Sequence, residues 1–317
     1  MKRVEASQTR PVESMRAYLL RTVFFPLIGL KRTMSDSSRF AKLIAGQQNK
    51  RETGPGMLLR KRFRVTTEKV GGHTVHTINR LNEEPRGAII YIHGGAYVAN
   101  MDAFQWGIVK GLASRTGASV VVPIYPLAPE HDWRAAYAMI GALYDQLLQR
   151  TGPGDITLTG DSAGGGLALG FAQALRDAGR PMPGRLVLFS PWLNLSLDNP
   201  RQEALDTRDP FLARPALNWS AMQWAAGTPL TDPHISPVFG SLKNLPPILI
   251  FSGRADILNA DAHELLEKAR AEGAPLEFVE DENMTHAWSA APIPEAQTLY
   301  DQAASFILTN STANSAF

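Results

Sequence analysis

Seven short runs rich in β-branched and aromatic residues punctuate the chain, at 72–80, 88–93, 119–125, 156–160, 186–190, 248–253 and 276–280. They constrain the fold more than any other feature. The first, GHTVHTINR, alternates in the period-two manner of an antiparallel strand. Most of the others, AIIYIH and SVVVPIY among them, are near-continuous apolar runs. Strands read that way when both faces are buried, which requires helices above and below a mostly parallel sheet. Helical stretches at 133–150, 163–178, 260–272 and 294–308 separate the runs. The predicted class is therefore α/β, with a mostly parallel central sheet flanked by helices.

One interval breaks this rhythm. Residues 195–245 show no clear strand, many prolines, and the bulky Phe211, Trp219 and Trp224. We expect a mainly helical insertion that packs with the N-terminal arm as a cap over one end of the sheet. The predicted organisation is cap segments at 1–60 and 195–245, and an α/β domain built from 61–194 and 246–317.

Charge is distributed unevenly. Residues 1–64 carry 15 Lys/Arg against 4 Asp/Glu, whereas the remaining 253 carry 17 against 26. Only the arm is basic, so nucleic-acid binding by the whole fold is disfavoured. Cysteine is absent, which excludes disulfides, Cys-ligated zinc or iron–sulfur sites and a thiol nucleophile. No window of 18 uninterrupted apolar residues occurs, so no spanning helix is expected. Residues 17–30 (AYLLRTVFFPLIGL) resemble a signal h-region, but Arg21 interrupts them, no small-residue cleavage site follows, and Lys31 and Arg32 come next. They read instead as a cap helix on the main domain, with membrane-surface attachment as the alternative. The expected location is cytoplasmic, with peripheral membrane association through the arm left open.

Gly160-Asp161-Ser162-Ala163-Gly164 fits G-x-S-x-G at the end of one apolar run and the start of a Gly/Ala-rich helical stretch. The pentapeptide alone arises by chance in roughly one chain of this length in ten, so its context decides. A strand-to-helix turn that tight tolerates only small flanking residues and holds the serine strained, hydroxyl outward. The alternative is a plain Gly-rich turn cradling a phosphate, but neither G-x-G-x-x-G nor a Gly-Lys-Ser/Thr accompanies it. Ser162 is the candidate nucleophile.

A serine hydroxyl needs a base beside it. Of seven histidines, His286 lies beyond the last run and before the last helical stretch, where the order Ser, acid, His puts the base. His73, His76, His234 and His263 read as satisfied or solvent-facing side chains. The acid should follow a strand between Ser162 and His286. Asp256, just after ILIFSG, is favoured over Asp261, which opens the following helix and suits a helix N-terminal carboxylate. Glu280, Asp281 and Glu282 read as a solvated acidic loop. An oxyanion requires preorganised N–H donors; the small residues of His93-Gly94-Gly95-Ala96, after a strand, suit that task. The predicted donors are the amides of Gly94, Gly95 and Ala163, with His93 anchoring the loop.

These pieces together resemble the bacterial hormone-sensitive-lipase-like family of α/β-hydrolase esterases over roughly residues 70–310. The likeness is carried by His93-Gly94-Gly95-Ala96, Tyr125-Pro126-Leu127-Ala128-Pro129-Glu130-His131, Gly160-Asp161-Ser162-Ala163-Gly164-Gly165, Ser236-Pro237, Asp256-Ile257-Leu258 and His286-Ala287-Trp288. The resemblance implies an α/β-hydrolase fold with a helical cap. It implies Ser162, Asp256 and His286 as a catalytic triad, and Gly94, Gly95 and Ala163 as the oxyanion hole. It also implies a small-molecule ester substrate with a short- to medium-chain acyl group, and no metal or organic cofactor. The chain departs from the pattern at Ala96, where a third glycine is usual, and at Pro126, where arginine is usual. The same triad also serves amide, lactone and N-acyl hydrolysis; a non-catalytic receptor on this fold would be expected to have lost a triad member. Trp106, Phe211, Trp219, Trp224 and residues 23–28 are candidates to line an acyl pocket, although simple cap packing is the favoured reading of each, because aromatic residues dominate such cores. An edge strand at 276–280 would offer a route to a homodimer.

Overall fold

The computed structural model describes residues 6–7, 13–50 and 53–309. Among them, nine strands form one sheet. In spatial order these are β1 (Ala6–Ser7), β9 (Leu276–Thr285), β8 (Ile248–Ala255), β7 (Arg185–Phe189), β6 (Ile156–Asp161), β4 (Ala88–Ile92), β5 (Ser119–Pro123), β3 (His73–Arg80) and β2 (Phe63–Val70). β3 is antiparallel to both β2 and β5, and every other pairing is parallel. The mostly parallel sheet expected from the apolar runs is thus present.

The runs are unbroken because successive side chains feed two separate cores. Ile90 and Ile92 of β4 face helices α7 (Trp133–Leu148) and α8 (Ala163–Asp177) in one cluster. Ile89 and Tyr91 face α6 (Gln105–Thr116) and α12 (Pro294–Thr309) in the other. With both faces dry, alternation disappears. Helix α11 (Asn259–Glu272) lies between β8 and β9, on the α7–α8 side.

The arm and the inserted segment are helical and meet each other. The arm holds α1 (Met15–Leu19), a π-helical turn over Leu20–Phe24, α2 (Phe25–Ile28), α3 (Leu30–Met34), α4 (Ser37–Gln48) and α5 (Met57–Arg62). The insertion holds α9 (Arg201–Asp206) and α10 (Arg214–Ala225). Phe40 of α4 meets Trp219 of α10 edge-on at 5.9 Å, and Phe25 meets Phe211 at 5.1 Å. The Lys31 ammonium donates to the carboxylate of Asp206 at 2.6 Å and to the carbonyls of Asp206 and Leu212. Gln48 donates to the carbonyls of Val98 and Ala128, tying α4 to the loops beyond β4 and β5. None of the described helices is long and apolar enough to cross a membrane.

Two expectations need correction here. Glu280 and Asp281 belong to β9 and are 8% and 9% exposed, not part of a solvated loop. Glu280 accepts from Arg254 at 2.5 Å, His263 at 2.6 Å and Asn259 at 3.0 Å. Burial works against its ionisation, but these hydrogen bonds prevail and hold the carboxyl down at about 2. The edge of β9 is also occupied in part, since Ala6 and Ser7 pair with Phe278 and Val279.

Candidate active site

Four parallel strands deliver the site at their C-terminal ends, the edge at which open α/β sheets present chemistry. Ser162 stands between β6 and α8 with φ +52°, a left-handed conformation that strains any residue but glycine. Its amide donates to Phe189, and its carbonyl accepts from Trp192 at 2.8 Å and Gly166 at 3.1 Å, so the strain is clamped from both sides. The turn is tight enough that a Cβ on Gly160 would overlap the Ile92 and Gly164 carbonyls, and one on Gly164 would overlap those of Ile92 and His93. Both glycines of the motif are therefore steric necessities.

The Asp256–His286 pair is set by strand register. Ile248 pairs with Leu276, an offset of 28, which holds as far as Gly253 and Asp281. A bulge then moves Ala255 opposite Thr285, an offset of 30. The next residue on each strand is Asp256 and His286, so the bulge brings the two functional groups abreast. Gly253 permits it: a Cβ there would overlap the Met284 carbonyl. His286 Nδ1 lies 2.9 Å from Asp256 Oδ2, and Nε2 lies 2.9 Å from Ser162 Oγ. With Nδ1–H donated to the carboxylate, Nε2 is left to accept the serine proton, the arrangement that turns a hydroxyl into a nucleophile. Burial opposes a charged His286, but the charge and hydrogen bond of Asp256 outweigh it, aided by Asp209 and Asp161, and raise its pKa above the ordinary imidazole value.

The glycine loop beyond β4 folds into a nest. Gly95, Ala96 and Tyr97 have φ of +120°, +53° and +65° in succession, a conformation that turns consecutive N–H groups toward one concavity. His93 anchors the loop as expected: its Nδ1 contacts the Gly94 carbonyl at 2.7 Å, its ring stacks on Tyr125 at 4.4 Å, and Tyr125 donates to its carbonyl. Burial lowers its pKa to about 4, so the ring is neutral. Gly94 departs from expectation. Its amide donates to Asp161 Oδ1 at 2.9 Å and is already engaged. No acceptor among the described residues takes the amides of Gly95, Ala96 or Ala163.

Asp161 is a residue that sequence reasoning passed over, although it lies inside the pentapeptide. Its buried carboxylate accepts from Tyr91 at 2.5 Å, from Gly94, and from Gln105 of α6 at 2.9 Å. Burial raises its pKa against those hydrogen bonds. It fastens the glycine loop to the Ser162 turn. Asp209 of the insertion was missed too. It is 2% exposed and accepts from the amides of Phe211 and Leu212 through Oδ1, and from Ile257 through Oδ2 at 3.0 Å. Burial, then the charge of Asp256, push its pKa up to about 6.

Asp261, the rejected alternative acid, opens α11 but is fully buried, taking a hydrogen bond from Gln202 at 2.8 Å. It stands in the first turn of α11, as expected, and burial raises its pKa to about 8. Ser236 Oγ accepts from the Leu195 amide and so joins the two ends of the insertion. His263 and His234 contact Glu280 and Asp232 respectively, in line with structural roles.

Beside Ser162 and His286 lies a cavity of about 210 Å³. Leu30, Met34, Leu43 and Ile44 of the arm and Phe211 and Leu217 of the insertion form its apolar side. Of the candidates for an acyl pocket, Phe211 alone lines it. Trp106 donates to Thr53 on the other side of the sheet, and Trp224 stacks on Tyr97 at 4.5 Å. Residues 23–28 face solvent except Phe25, which packs on Phe211.

Comparison with known proteins agrees with this architecture. A family model described as the alpha/beta hydrolase fold matches residues 89–290. An acetyl-hydrolase of Streptomyces hygroscopicus is 34% identical over 243 residues, 76% of this chain and 81% of that protein. A triacylglycerol lipase of Mycobacterium tuberculosis is 36% identical over 203 residues, 63% of this chain but 41% of that protein. The crystal structure of an esterase/lipase from an uncultured bacterium superposes with a TM-score of 0.75 at 29% identity, covering 86% of this chain and 99% of that one. An esterase of the bacterial hormone-sensitive lipase family shares the fold with a TM-score of 0.79 at 24% identity, covering 95% and 99%. This chain belongs to the hormone-sensitive-lipase-like family of α/β-hydrolase esterases. It is a carboxylic ester hydrolase.

Proposed function

We propose that the protein is a serine carboxylesterase for short- to medium-chain acyl esters, with Ser162 as nucleophile, His286 as base and Asp256 as the acid that orients it. The observation that carries this reading is the Asp256–His286–Ser162 relay, two contacts of 2.9 Å, opening on the unengaged amides of Gly95, Ala96 and Ala163. Ser162 Oγ attacks the acyl carbon while His286 Nε2 takes its proton. The negative charge formed on the carbonyl oxygen is met by N–H groups of Gly95, Ala96 and Ala163, Ala96 taking the place first expected of Gly94. His286 protonates the departing alcohol, then activates water to release the acid from the acyl-enzyme.

The acyl group occupies the apolar side of the cavity. Its volume, about 210 Å³, falls below the ~300–1,000 Å³ typical of drug-sized sites, which supports a short or medium chain. Residues 1–60 and 195–245 act as the cap that sets this limit, over a catalytic domain of 61–194 and 246–317. The arm, bordering the cavity mouth, is also the segment through which contact with a membrane surface is expected. Hydrolysis of p-nitrophenyl esters from acetate to palmitate tests the reading. It expects a maximum at short or medium chains that vanishes in Ser162→Ala; a maximum at palmitate, or turnover by the folded variant, would refute it.

A further inference from the structure

Large apolar side chains left in water are not scattered over this molecule. Ten of the fifteen among the described residues lie between Met15 and Leu58, and seven of those on α1, the π-helical turn and α2. Met15, Leu19, Val23 and Leu27 recur every four residues, and Met15 and Leu27 are 71% and 79% exposed. A straight α-helix would rotate such a stripe away from one side; the wider π-helical turn slows that rotation and keeps the four together. The opposite side is fixed to the protein. Ser14 donates twice to Glu295 at the start of α12, Ala17 is buried, and Phe25 packs on Phe211. The exposed apolar side is thus held outward by a well-attached helix, and a contiguous patch of this kind marks an interaction surface.

Its charge selects the partner. Arg16, Arg32 and Lys42 are exposed around the patch, and no carboxylate among the described residues pairs with them. Residues 1–64 balance to +11, from 15 against 4, while the rest balance to −9, from 17 against 26. A second copy joined across a two-fold axis would set these cations against themselves. An anionic lipid surface would attract the arm and repel the remainder, orienting the molecule as well as binding it. The patch also runs into the site: Leu43 is 49% exposed yet lines the cavity with Leu30 and Met34.

We propose that the exposed apolar side of the N-terminal arm docks the protein on an anionic lipid surface, with the mouth of the Ser162 cavity turned toward the bilayer. The apolar side chains enter the headgroup boundary and the arginines and lysines meet lipid phosphates. Docking itself does not depend on the catalytic reading. Only its consequence does, namely that the acyl ester arrives from the lipid phase.

Vesicle co-flotation of full-length Ser162→Ala protein tests this without lipid turnover. Vesicles of phosphatidylcholine alone are compared with vesicles that also contain phosphatidylglycerol. Strong partitioning onto the second kind, falling as salt is raised, is expected. Val23→Glu with Leu27→Glu should lower it by about tenfold or more, and Met15→Glu should lower it independently. All three side chains lie outside the cavity, so in the wild-type background these changes should leave hydrolysis of a water-soluble short ester unchanged, which also reports folding. Absence of binding to either vesicle, equal binding by the Glu variants, or a wild-type dimer in solution that Leu27→Glu dissociates would each overturn the proposal. A folded wild-type protein that floats but hydrolyses no ester would refute the catalytic reading and leave docking intact.

Discussion

The two sides of the cavity are made in different ways. On one side stand Ser162, the glycine loop and His286, with Asp256 buried behind the imidazole, each at the end of a buried strand. On the other stand Leu30, Met34, Leu43 and Phe211, carried by short helices of the arm and insertion. The strand side varies little in the ways it can be built, since one register shift would separate Asp256 from His286. The helical side can exchange apolar residues without disturbing any hydrogen bond in the relay. The contrast teaches that chemistry and selectivity are held by separable parts, and substitutions should divide accordingly.

The largest effects belong to the strand side. Ser162→Ala should lower kcat by about a millionfold without loss of folding, checked by ester hydrolysis beside circular dichroism. Asp256→Asn should cost about ten-thousandfold, because the wrong imidazole tautomer is then favoured. Asp261→Asn, at a buried carboxyl outside the relay, should cost far less, and the reverse order in kcat would break the assignment. Gly95→Ala should lower kcat by about a hundred- to thousandfold, since a Cβ at φ +120° would overlap the Ala99 carbonyl and turn the nest.

Smaller effects are expected on the helical side. Filling the cavity with Met34→Trp should shift the optimum to shorter acyl chains. For longer chains it should reduce kcat/KM by about tenfold or more, while acetate hydrolysis is kept; an equal loss for all chain lengths would erase the distinction between the sides.

Asp209 lies at the seam, and its variant sharpens the comparison most finely. Its negative charge helps to raise the pKa of His286. Activity requires the neutral imidazole, so it falls as pH drops through that pKa. Asp209→Asn removes the charge and should move the acid limb of the kcat/KM profile to lower pH. An unmoved limb would mean that Asp209 serves packing alone.

The strand side was also the legible one. Parallel strands buried on both faces announce themselves as apolar runs, and β4 to β8 appear within a residue or two of where those runs place them. Ser162, Asp256 and His286 follow from position at their ends. What stayed hidden has physical reasons. Helix α6 is buried on most sides and carries two glycines, one packed on the Tyr300 ring, so it offers no amphipathic stripe. β2 is an edge strand with mostly exposed polar residues and blends into the basic arm. β9 runs on through Glu280 and Asp281 because Arg254, His263 and Asn259 satisfy a carboxylate that its local sequence presents as solvated. The engagement of Gly94 by Asp161 and the reach of Asp209 to Ile257 are contacts between residues 67 and 48 positions apart, and no local pattern encodes them.

Everything proposed for the site requires that Ser162 become covalently acylated through His286. Mass spectrometry after treatment with a fluorophosphonate tests it directly. One adduct is expected, on the peptide containing Ser162, formed together with loss of esterase activity and strongly slowed in His286→Ala. An adduct on a different residue, or full ester hydrolysis by protein in which Ser162 is completely modified, would contradict it.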